Sequence, residues 1–167
     1  MFRTIGDFEA SWIRESEATL RILRALTDAS LRQAVTPLDR NLGRMAWHLV
    51  QSIPEMMQRT GLAVGGPPEE APVPTSAATI ADTYAGTSIS LLANIKKSWT
   101  DSVLQVEDDM YGEKWPRGLT LAVLISHQTH HRAQMTVLMR QANLRVPGVY
   151  GPAREEWGSM GAPPPAI

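Results

Sequence analysis

The 167-residue sequence contains no cysteine. That excludes disulfides, thiolate metal ligands and a cysteine nucleophile. It also removes the usual mark of a secreted protein. No stretch approaches the roughly 20 apolar residues that a membrane span needs. The first residues, Met1 to Asp7, lack the apolar run of a signal peptide. A charge excess is missing too: 16 Lys and Arg stand against 17 Asp and Glu, a formal net charge of -1. Nucleic-acid binders concentrate basic residues on one face, and here the strongest cationic run is the pair Lys96-Lys97. The expectation is a cytoplasmic protein with no nucleic-acid partner and no membrane partner.

What is present suits one globular domain spanning residues 1–167. The composition is 43% hydrophobic and 20% charged, near the globular average, and the length allows a core without covalent staples. Apolar residues recur at three- and four-residue steps in four segments, and no alternating strand pattern stands out. The first helix is expected over about 7–27, with Phe8, Trp12, Leu20, Leu23 and Leu26 inward. The second covers about 40–60, with Asp39 as N-cap, Leu42, Met45, Leu49, Ile53 and Met56 buried, and Gly61 as C-terminal cap. Pro54 lies inside it and predicts a kink or an early stop. A Gly/Pro-rich loop over 62–74 follows. The third helix is expected over about 76–106, and the fourth over about 119–142, with Asn143 as its cap. The tail carries many Gly and Pro residues but also Val149, Tyr150 and Trp157, which need cover, so it should lie against the helices. Four long helices without strands predict an all-α, four-helix bundle. The long loop before the third helix permits a crossover connection.

Four histidines carry the chemistry. His48 falls on the second helix; His127, His130 and His131 fall on the fourth. A four-residue step puts His127 and His131 on one helix face, a turn apart. Neutral imidazole is the commonest metal ligand, and a third imidazole from a facing helix would complete three ligands, leaving a position open to water or substrate. The competing reading is a pair of partly buried histidines, each hydrogen-bonded to a neighbour. His130 points roughly 100° away from His131 and reads as a residue beside the site. Arg132 reads either as a surface cation or as half of a buried pair with a helix or tail carboxylate. Gln134 could hydrogen-bond near the site.

The run His127-Gln-Thr-His-His-Arg-Ala-Gln134-Met, then Leu138-Met-Arg140 and Arg145-Val-Pro147-Gly-Val-Tyr150-Gly-Pro152, resembles the last helix and exit of the DinB family. His48, in Met45-Ala-Trp-His48-Leu-Val, matches that family's earlier histidine. Ala133 stands where the family usually has Gly, a change that bears on helix packing. The resemblance implies a DinB-like four-helix bundle with a divalent metal, often zinc or nickel, on His48, His127 and His131, and frequently a homodimer. Related families use the scaffold for metal-dependent transfer with low-molecular-weight thiols such as bacillithiol or mycothiol.

The expected function is therefore that of a metal-dependent transferase or isomerase acting on a small-molecule substrate with such a thiol. A metal-dependent hydrolase is the alternative enzyme; it needs a carboxylate base, and the histidine run has none beside it. Glu155 and Glu156 in the tail are candidates for that base. A non-enzymatic metal- or ligand-binding stress protein would instead have its pocket closed by Tyr150 or Trp157.

Overall fold

A computed structural model describes residues 1–166. Four helices dominate it: α1 (Ile5–Arg24), α2 (Leu42–Gln58), α3 (Ala77–Ser98) and α4 (Arg117–Gln141). Each of α1 and α2 packs against both α3 and α4, so α1 and α2 occupy opposite corners of the bundle. The connections α1–α2 and α3–α4 therefore cross the bundle, whereas the long loop before the third helix, where the sequence permitted a crossover, joins the neighbours α2 and α3. Side chains from all four helices meet in one core, including Phe8, Trp12, Leu49, Ile53, Tyr84, Leu91, Leu124 and Met135. Among the described residues no helix is long and apolar enough to cross a membrane.

Local chemistry sets the helix ends. Thr4 caps α1 by accepting from the Asp7 amide. Asn41, rather than Asp39, caps α2: its side chain accepts from the Arg44 amide at 2.8 Å, while Asp39 accepts from the Thr36 hydroxyl in the preceding turn. Both residue types make good caps, and the sequence pattern placed the boundary two residues early. Gly61 closes the end of α2 with a positive φ of 76°, a conformation that glycine adopts without steric cost. Asn143 does the same after α4 at φ 56°. Pro54 does not stop α2, which continues to Gln58. The nearby Leu49 carbonyl accepts from the Gln128 side-chain amide of α4 at 2.9 Å and from the Ser52 hydroxyl at 3.2 Å, which ties the two helices together beside Pro54.

The third helix is eight residues shorter than its pattern suggests, ending at Ser98 instead of Val106. Trp99 and Thr100 are extended, and a 3-10 turn over Asp101–Gln105 turns the chain. Asp101 accepts from the Ile5 amide at 2.8 Å, so this carboxylate is committed to the start of α1. The following break is not strandless. Strands β1 (Glu107–Met110) and β2 (Glu113–Pro116) form an antiparallel hairpin with Met110 opposite Glu113. Tyr111 and Gly112 make its two-residue turn, both at positive φ, as a primed turn requires. Only Met110 is buried in the two strands, so no alternation of apolar and polar residues marks them.

The tail lies against α1 and α4. Val146 is buried and Val149 packs on the core. Tyr150 is exposed along its ring, but its hydroxyl donates to Glu15 at 2.7 Å and meets Arg132. Arg132 is 2% exposed. It donates to the Glu15 carboxylate at 2.7 Å, the Glu15 carbonyl at 3.0 Å and the Thr19 hydroxyl at 3.1 Å. It is thus the buried pair that the sequence offered as one reading, and the carboxylate comes from α1. Burial pushes the Glu15 pKa up, but Tyr150 and Arg132 outweigh it and hold the carboxyl below its ordinary value.

Removing one member of a buried pair strands the other. Glu15→Ala should cost about 3 kcal/mol of stability in urea denaturation. Glu155→Ala, which breaks the more exposed pair with Arg140, should cost less than about 1 kcal/mol. Equal effects would show that the Arg132 cluster is not a stabilising contact between α1, α4 and the tail.

Candidate metal centre

The contact between α2 and α4 brings three histidines together. His48 sits on α2, three residues after the buried Met45 and one before the buried Leu49, so its ring leaves the core at the edge facing α4. His127 and His131 flank the fully buried Gln128 on α4. All three imidazoles are half-buried. His48 Nε2 lies 3.1 Å from His127 Nε2, and one ring nitrogen from each histidine lies within 4.8 Å of the others. The ring centroids are 4.5 to 4.9 Å apart, with edges turned toward faces.

That geometry fits a shared cation. Two nitrogens bound tetrahedrally to one zinc at 2.0–2.1 Å stand about 3.3 Å apart, close to the observed His48–His127 separation. The protonation states fit as well. Burial lowers the pKa of His48 to about 3 and of His127 to about 4, and the positive charge of protonated neighbours adds to the effect. His131 is lowered mainly by burial, against the opposing effect of its hydrogen bond to the Gln134 side-chain oxygen. At neutral pH the three rings are neutral and offer lone pairs. His131 Nδ1 lies 2.7 Å from the Gln134 side-chain oxygen; a proton on Nδ1 leaves Nε2 as the ligand atom. His127 Nδ1 is buried without a partner among the described residues, so this ring lacks the supporting hydrogen bond that His131 has.

His130 is exposed and falls outside the cluster of three, as its angle around the helix dictates. Gln134 is at the site. Arg132 is not: it faces α1, one residue along from His131. Along the core-facing row of α4, Leu121, Leu124, Gln128, Met135 and Leu138 are buried together with Arg132, while His131 is half-buried at the edge. Ala133 is exposed, so a methyl group there obstructs no packing.

Beside His48 and His127 opens a cleft of about 410 Å³. Its walls include Arg40, Arg44, Glu55, Arg59, Met56 and Tyr111. Glu55 lies two helical turns beyond His48, and a seven-residue step keeps it on the same face. No sequence motif marks Glu55, because it lies on α2 and not beside the α4 histidines. Its two oxygens are engaged, by Arg59 Nε at 2.8 Å and by the Tyr111 hydroxyl at 2.7 Å. The Arg59 guanidinium also lies 4.2 Å from the centre of the Tyr111 ring. The hairpin thus delivers Tyr111 to the cleft, and its burial and the carboxylate beside it raise that phenol to about 12. The tail carboxylates are elsewhere. Glu155 pairs with Arg140, and Glu156 accepts from the Gly148 and Ala153 amides. Tyr150 and Trp157 do not line the cleft.

A bundle with three histidines at one helix pair defines a class, and the comparisons supply its name. The DinB family profile matches residues 1–164, and the chain belongs to that family. It is 48% identical, over the full length of both chains, to the Bacillus subtilis protein named "Uncharacterized protein YrdA". The crystal structure of a DinB-like protein from Bacillus cereus is 47% identical and superposes with a TM-score of 0.87, over 90% of this chain and 100% of that one. A second DinB-like protein, YjoA from Bacillus subtilis, shares the fold at 15% identity, with a TM-score of 0.64 over 86% of this chain and 97% of its own.

Two measurements test the centre. Metal analysis of protein made without a histidine tag should give about one equivalent. His131→Ala should lose it, and His130→Ala should keep it. A full equivalent in His131→Ala would remove that ligand. The second test uses the metal-free protein. Unfolded histidines take up protons near pH 6.5, whereas His48 and His127 resist protonation down to about 3 and about 4. The unfolded state binds more protons between these values, so folding stability falls as pH drops from about 6.5 toward 4. The melting temperature of metal-free protein should decline through that window, and the decline should shrink in His48→Gln. A decline of the same size in both proteins would show that His48 is not held neutral.

Proposed function

We propose that His48, His127 and His131 hold a divalent metal, zinc or nickel, and that the protein is a metal-dependent transferase or isomerase that works with a low-molecular-weight thiol. The observation that carries this reading is a set of three neutral imidazoles, two of which, His48 and His127, line one cleft, while His131 lines the next. Neutral ligands leave the full charge of the ion in place, and a bound divalent cation favours the thiolate form of a thiol at neutral pH. The chain has no cysteine, so the sulfur must come from outside. Gln134 orients His131, the buried Gln128 fixes the register of α4 against α2, and Met56 and Val123 form an apolar part of the cleft wall.

Glu55 favours a second reading, metal-dependent hydrolysis, because it is a carboxylate in the same cleft. Its bonds to Arg59 and Tyr111 weigh against it as a base, since both oxygens already accept hydrogen bonds.

Cobalt-substituted protein distinguishes the two readings. Millimolar 2-mercaptoethanol or mercaptosuccinate should add a sulfur-to-cobalt charge-transfer band in the near ultraviolet. His127→Ala should lose both cobalt and band. Fully loaded protein that shows no band with any small thiol would remove the transferase reading and leave hydrolysis.

A further inference from the structure

We infer that Arg40 and Arg44 form an oxyanion-binding subsite next to the three histidines, so that the centre takes a small ligand carrying a carboxylate or phosphate group. The inference deepens the proposed function and rests on it for the role of the metal, though not for the anion itself.

Arg40 borders all three histidines. It lines the 410 Å³ cleft together with His48 and His127, and it also lines a second cleft of about 520 Å³ that contains His131 and Gln134. Its positive charge is felt at each imidazole. Arg44 lines the first cleft, one turn before His48, and is held in place. Its Nη1 donates at 2.6 Å to the side-chain oxygen of Gln51. Gln51 is 3% exposed, and its amide donates to the carbonyls of Pro68 and Glu69 at 2.8 and 2.7 Å. A buried residue anchored in the loop thus fixes one edge of the Arg44 guanidinium and leaves its other donors available.

Charge balance supports the same conclusion. Among the described residues neither Arg40 nor Arg44 enters an ion pair. The carboxylates that share their clefts are Glu55, Glu69 and Asp39. Glu55 is bound by Arg59 and Tyr111, and Asp39 by the Thr36 hydroxyl. Glu69 lines the cleft without a hydrogen bond to either arginine. Two cations beside three imidazoles that must stay neutral are costly neighbours for a divalent metal. An arriving anion relieves that repulsion, and arginine's fork binds carboxylate and phosphate through two parallel hydrogen bonds.

The test uses wild type, Arg40→Gln and Arg44→Gln, with two readouts. In cobalt-loaded protein, the charge-transfer band should report mercaptosuccinate binding at least roughly tenfold tighter than 2-mercaptoethanol. Arg40→Gln should remove most of that preference without changing cobalt stoichiometry or 2-mercaptoethanol affinity. In metal-free protein, calorimetry should show succinate or inorganic phosphate binding that weakens in both variants; whichever anion binds more tightly names the source. Equal affinity for the two thiols in wild type, or an unchanged preference in both variants, overturns the subsite. If cobalt does not bind but succinate or phosphate does and is lost in Arg40→Gln, the subsite stands and the metal centre falls. If cobalt binds and no anion does, the reverse holds.

Discussion

The packing of α2 on α4 is the constraint on which the site depends. It sets His48 Nε2 3.1 Å from His127 Nε2, and no other pair of helices could do so, because His48 lies on α2 and His127 and His131 on α4. The same contact half-buries the imidazoles and drives their pKa values down. Burial of this kind is unfavourable for the apoprotein at mild acidity, because the unfolded chain can protonate and the folded chain resists it. It is favourable for holding a cation, because protons stop competing for the lone pairs. One packing interface therefore determines both the position of the ligands and their readiness to bind.

Helix α4 serves two interfaces through adjacent residues. His131 turns toward α2, and Arg132, about 100° further around, turns toward α1 and the tail. Arg132 is bound by Glu15, Thr19 and Tyr150, so the helix cannot rotate about its axis without breaking a buried charge pair. Gln128 blocks the same rotation from the α2 side, through the Leu49 carbonyl. His127 and His131 thus sit on a helix clamped from both flanks, which holds their rings in one arrangement toward His48. Packing of apolar side chains alone would set the orientation of α4 less narrowly, since methionine and leucine contacts tolerate small shifts.

The sequence made the helices and the three histidines legible, because a 3.6-residue period and a four-residue ligand step both survive in one dimension. It was less informative where structure does not depend on periodicity. Residues 99–106 continue an apolar pattern, yet Asp101 leaves it to bind the Ile5 amide, a contact 96 positions away. The hairpin of β1 and β2 buries one residue, Met110, so alternation could not mark it. Its turn uses Tyr111-Gly112 in place of the commoner Asn-Gly. Arg132 was readable as a cation in a helix, but its partner depended on which corner of the bundle α1 occupies. Glu55 was hidden for a different reason: it lies seven residues from the single histidine of its helix, too far apart in sequence for the pair to form a motif.

What the hairpin adds is the far wall of the cleft. Tyr111 and Arg59 between them hold Glu55, so the negative charge nearest the histidines is neutralised at one end. At the other end Arg40 and Arg44 have no carboxylate partner. Were Glu55 free, it could have paired with an arriving cation or served as the fourth ligand of a closed metal site, and a closed site leaves no position for substrate. By committing Glu55 to an internal pair with Arg59 and Tyr111, the protein keeps the histidine centre both open and short of negative charge. An anionic ligand with a soft donor atom would meet both requirements, its oxygens at the arginines and its donor at the open position. A neutral water would fill the open position but supply no negative charge.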